Sequence, residues 1–159
     1  MSAQYTYGLM AFFLVVATNV QGQHNVTISL TGYEIPRAAA PALLFVQPAK
    51  MDAASLLQKL AAMQAQGTAK VVKFGSASGG SGMLMKSNAA DGGFKAECLI
   101  KPDSTIIGVS IAAHLGTAEI TSATGATMNS IGLLGTFDLR DNDKVTMVFF
   151  RVSPTRQAN

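Results

Sequence analysis

Two periodicities divide this chain. Alternation of apolar and polar side chains marks half-buried strands, and apolar residues three or four apart mark a helix facing a core. Over Asn25 to Tyr33, Val26, Ile28 and Leu30 face one way while Thr27, Ser29 and Thr31 face the other. Phe94 to Lys101 alternates most cleanly, with Phe94, Ala96, Cys98 and Ile100 inward and Lys95, Glu97, Leu99 and Lys101 outward. Thr105 to Leu115 is the longest expected strand. It has Ile107, Val109, Ile111, Ala113 and Leu115 on one face and the smaller set Ile106, Gly108, Ser110, Ala112 and His114 on the other. That second face leaves room for a second layer or a neighbouring subunit.

Helical spacing occurs convincingly over Asp52 to Gln66, where Leu56, Leu57, Leu60 and Met63 form one stripe. Asp52 is placed to cap the first free backbone N–H groups. Gly67 supplies the left-handed residue that ends the helix. Packing on a sheet face is the expected role of the stripe; a partner-binding helix is the alternative.

The remaining segments read as strands and turns. Ala42 to Gln47 (ALLFVQ) is a short apolar run between Pro41 and Pro48 and is expected to be a strand. Thr68 to Phe74, Met83 to Lys86, Ile131 to Leu139 and Lys144 to Val152 are further strands, the last two joined as a hairpin through Arg140–Asp143. Gly75 to Gly82 (GSASGGSG) is expected to be a flexible loop, and Gly116 to Ser130 short strands with a long loop. The tally is about eight strands and one helix, an α+β but mostly β fold with antiparallel-rich sheets and the helix, about residues 52–66, packed on a face. A single domain spans 23–154, followed by a polar tail, 155–159.

The N-terminus follows neither period. Residues 1–22 carry no charged side chain, and Leu9 to Ala17 (LMAFFLVVA) is continuously apolar. The run suits the apolar centre of a signal peptide, and Val20-Gln21-Gly22 suits a cleavage site. Thr18, Asn19 and Gln21 cut it short of the roughly 20 apolar residues that span a bilayer. Export to the periplasm, outer membrane or extracellular space is the expectation, with an uncleaved anchor or a buried N-terminal element as alternatives.

Composition narrows the function. Charged residues make up 13% of the chain, against about 25% for an average soluble domain. A low-charge surface suits contact with copies of itself or with envelope proteins, a small soluble domain rich in Ala, Gly, Ser and Thr being the alternative; the mild positive excess suits peripheral or outer-membrane association with an anionic envelope surface. The net charge of +3 is scattered, whereas nucleic-acid binding shows a clustered basic footprint. The one cysteine, Cys98, falls in phase with an apolar strand face and reads as a small buried residue.

Catalytic groups that would converge are scarce. The two histidines, His24 and His114, exclude a three-histidine zinc site built from this chain alone. Gly75-Ser76-Ala77-Ser78-Gly79 places serine second and fourth, so it is not a G-x-S-x-G nucleophile elbow; nor does it have phosphate-loop spacing. Asp138, Asp141 and Asp143 lack a calcium-loop pattern and suit turn chemistry. Asn25-Val26-Thr27 is a glycosylation sequon. The residues therefore name no catalytic, cofactor or metal site. The first expectation is a non-enzymatic envelope protein. A secreted module binding through loops 75–82 and 116–130 comes second, and a small hydrolase using His114 or the loop serines third.

From Asp52 to Pro154 the chain resembles a known family. The helix leads into Ala69-Lys70-Val71-Val72 and a Gly/Ser stretch; Ile131-Gly132-Leu133-Leu134-Gly135-Thr136-Phe137 then precedes a last strand ending Val152-Ser153-Pro154. This order is similar to a reduced C-terminal β domain of the secretins, outer-membrane channels of type II and type III secretion, without their N-terminal ring-building domains. Gly132 stands at the family's proline position and Ser153 at its closing threonine. The resemblance implies an exported β-rich scaffold, oligomeric and without catalysis.

Overall fold

The computed structural model describes residues 25–44, 52–139 and 143–155. The expected signal peptide, the tip of the last hairpin and all of the tail beyond Thr155 lie outside the described residues.

The described residues form eight strands: β1 (Val26–Pro36), β2 (Lys70–Gly79), β3 (Met85–Asn88), β4 (Gly93–Ile100), β5 (Ile106–Leu115), β6 (Ala118–Thr127), β7 (Ile131–Asp138) and β8 (Lys144–Pro154). They make two four-stranded antiparallel sheets, ordered β2-β1-β8-β7 (sheet one) and β3-β4-β5-β6 (sheet two). Following the strands in sequence order carries the chain once around a common core, with β1 closing the circuit between β8 and β2. At one seam, Ser87 Oγ of β3 donates to the Phe74 carbonyl of β2 at 3.1 Å. At the other, Gly135 of β7 lies against Ile120 of β6. The result is a barrel-like sandwich in which no strand ladder joins the two sheets: β2 and β7 are the edges of sheet one, and β3 and β6 the edges of sheet two.

The barrel interior is filled by side chains. Val26, Ile28, Phe74, Phe94, Ile111, Val148 and Val152 are buried in one cluster with Cys98. The rings of Phe74 and Phe137, on the two outer strands of sheet one, stack with centroids 6.2 Å apart. Sheet one must therefore curl strongly. A β-bulge helps it do so. The β1–β2 register shifts between Leu30 and Thr31, opposite Phe74 and Gly75, and Gly75 takes φ +87°, a left-handed conformation at which a Cβ is strained.

The second cluster lies on the outer side of sheet one. Tyr33, Ile35, Val145, Met147 and Phe149 pack beneath helix α2 (Ala53–Ala65), which contributes Leu56 and Leu60. Tyr33 and Phe149 meet edge to face. The Asp52 carboxylate accepts a hydrogen bond from the Ser55 N–H at 2.7 Å, and Gly67 has φ +77° just past the helix end. The expected helix, its cap, its stop and its packing face are thus all present.

Three expectations are corrected. Ala42 to Leu44, expected to begin a strand, lies in the short helix α1 (Ala40–Leu44), reached through a 3-10 turn at Arg37–Ala39; the rest of that run is outside the described residues. Pro41 fits a first helical turn, where its missing N–H costs nothing. The expected loop 75–82 is in large part the end of β2, because Val26 and Ile28 of β1 take Gly79 and Ala77 as their antiparallel partners. The expected loop within 116–130 is instead one continuous ten-residue strand, β6, fully paired with β5.

Candidate interaction surface

Sheet two buries one face and exposes the other. Along β5, Ile107, Val109, Ile111 and Ala113 point into the barrel, so Ile106, Gly108, Ser110, Ala112 and His114 point out. Pairing extends the outward set into rows. Leu99, Gly108 and Gly125 are adjacent, as are Glu97, Ser110 and Ala123, and Lys95, Ala112 and Thr121. The centre is thus a plane of small side chains. Its rim carries exposed apolar groups: Leu99 is 56% and Ile106 57% exposed. A shallow depression of about 390 Å³ crosses this plane over Leu99, Gly108, Ser110 and Ala123. Small side chains let a second layer approach to the roughly 10 Å at which sheets stack.

His114 closes one end of the plane, opposite Gly93 on β4 and Glu119 on β6. A Cβ at Gly93 would stand 2.7 Å from the imidazole carbon Cε1, so glycine is what lets the ring lie there. The serines of 75–82 that fall within β2 belong to sheet one, so the structure does not join them to His114.

The other singled-out residues have structural roles. Cys98 is buried on the barrel side of β4, where its thiol meets the Gly80 carbonyl at 3.8 Å. Burial disfavours the thiolate and pushes its pKa up, which makes it a poor nucleophile. Asp138 pairs with the Arg37 guanidinium, tying β7 to the turn after β1. Asp143 lends its carbonyl to the Arg37 N–H at 2.7 Å, and Asp141 is outside the described residues. Asn25 of the sequon is exposed at the start of β1, and its carbonyl accepts from the Thr155 N–H at 3.1 Å. Among the described residues no three His, Cys, Asp or Glu side chains gather as metal ligands, and no helix is long and apolar enough to cross a membrane.

Sequence reasoning found the β5 half of the open plane and missed the β6 half. Thr121, Ala123 and Gly125 sit in a stretch whose Gly, Ala and Thr content reads as loop. The alternating face of β5 was the available signal, since a ten-residue strand needs a partner of its own length. No family model, curated protein or solved structure matches this chain.

Proposed function

We propose that this protein is an exported, non-enzymatic scaffold of the cell envelope that associates with further copies of itself through the outer face of sheet two. The observation that carries the reading is the open plane itself. A small-residue centre with exposed Leu99 and Ile106 at its rim is a weakly polar surface, and such surfaces mark sites of protein contact. The low charge of the chain as a whole points the same way.

Charge along β4 favours a second copy as the occupant. Lys95 and Glu97 are consecutive outward residues on that strand. A two-fold axis crossing β4 at Ala96 sets Lys95 of each copy against Glu97 of the other. Self-complementarity of this kind is what a symmetric dimer interface requires. The uncharged face of β5 and β6, from Gly108 to Ala112 and from Thr121 to Gly125, then forms the dry centre.

Light scattering on the purified protein, combined with cell fractionation and N-terminal sequencing, tests both halves of the reading. The expected result is an assembly larger than one chain, recovered from the envelope or the medium. A strictly monomeric protein removes the scaffold reading, and a protein retained in the cytosol removes export.

A further inference from the structure

The outer face of sheet one changes character along its length. On β1, Tyr33 and Ile35 are buried beneath α2, but Thr27, Ser29 and Thr31 continue the same face past the end of the helix's cover. Here Arg151 of β8 stands between Ser29 on β1 and Ile131 on β7. The Arg151 side chain is exposed and has no acidic partner among the described residues; both ion pairs there involve other cations. The Ser29 hydroxyl also makes no hydrogen bond within the described residues.

Two adjoining hollows share Ser29 and Arg151. One, about 250 Å³, runs toward the helix and is bounded by Leu57, Ile131, Tyr33 and Phe149. The other, about 740 Å³ and open, is bordered by Thr27, Ser78, Asn129, Ser153 and Thr155. Some of its hydroxyls already pair: Thr27 Oγ1 lies 2.7 Å from Ser78 Oγ and 3.1 Å from Thr155 Oγ1. Among the described residues this guanidinium has no counter-ion and is bordered by hydroxyls and by no carboxylate, which favours an anion. The apolar notch beside it favours a short hydrocarbon chain attached to that anion.

We propose that this trough binds one anionic amphiphile, with a carboxylate or phosphate headgroup on Arg151 and Ser29 and an alkyl chain in the notch between Leu57 and Ile131. The guanidinium offers two parallel N–H donors that match either headgroup. The notch is concave and sized for one chain, so the ligand is a single molecule taken from solution, not a bilayer surface. The site lies on the sheet opposite the proposed self-association face, so either proposal fails without the other.

The test is calorimetric titration of the full chain with decanoate and with octyl phosphate, each below its micelle concentration. Decanol, inorganic phosphate and anionic phospholipid vesicles are the comparison probes. Arg151 is exposed, so Arg151→Gln and Arg151→Lys leave the core intact. The expected result is saturable one-to-one binding of both amphiphiles, weakened about tenfold or more by Arg151→Gln, as loss of a charged hydrogen-bond partner implies. Arg151→Lys weakens it less, keeping the charge and losing the fork. No saturable binding, unchanged affinity in Arg151→Gln, decanol or phosphate alone binding as tightly as the amphiphiles, or binding to vesicles alone would each overturn the proposal.

Discussion

The two sheets are of equal strand number and are built from different sequences. In sheet one, β8 buries every residue from Val145 to Phe150, because the barrel core covers one face and α2 much of the other. In sheet two, β5 alternates buried and open positions, because only the barrel side is covered. A strand covered twice reads as a continuous apolar run, and a strand covered once reads as alternation. The outer face of sheet two is therefore the uncovered one, whereas sheet one contributes to both buried clusters.

Substitutions that distinguish the faces sharpen this contrast. Phe94, wholly buried on the barrel side of β4, anchors sheet two to the common core. Phe94→Ala is expected to cost about 3–5 kcal/mol, read as a lowered denaturant midpoint. Leu60, also wholly buried, holds α2 on sheet one. Leu60→Ala is expected to cost about 2–5 kcal/mol, with helical circular dichroism lost ahead of the strand signal as α2 loosens. Equal stability of the Leu60 variant and wild type would mean that α2 is not part of the packed structure.

Smaller effects come from the exposed ends. Hydrogen bonds from the Ser55 backbone N–H and side chain hold the Asp52 carboxyl below its ordinary 3.8. A lowered folded-state pKa gives stability that is present above the unfolded value and lost as pH falls through the folded one. The α2 cap is accordingly expected to weaken under acid, below about pH 4. Helical ellipticity followed from neutral pH downward, in wild type and in Asp52→Ala, checks this; a wild-type acid response no larger than the variant's would contradict it. Least of all should stability respond to Ala123→Lys on the open plane, within about ±0.5 kcal/mol by thermal unfolding at a concentration too dilute for assembly.

Much of this contrast was legible in the chain. The cap and stripe of α2, the alternation of β4 and β5, and the inward placement of Cys98 follow from local pattern. The first part of the Ala42 to Gln47 run did not, because a short apolar run lacks the length to separate helix from strand. Nor did β6 or the end of β2. Gly79, Ala77, Ala123 and Gly125 have weak strand propensity, and they extend because β1 and β5 supply partners along their whole length. The open plane was half visible for that reason. The trough around Arg151 was not visible at all: Thr27 and Ser29, Ser78, and Arg151 come from three distant parts of the chain and meet only through sheet register.

Sedimentation velocity on wild type and Ala123→Lys, over a range of protein concentrations, tests the open face most directly. Wild type is expected to assemble as its concentration rises and the variant to stay monomeric, while at concentrations too dilute for assembly the two chains unfold at like temperatures. A wild type that stays monomeric throughout, or a variant that assembles as well as wild type, would contradict it.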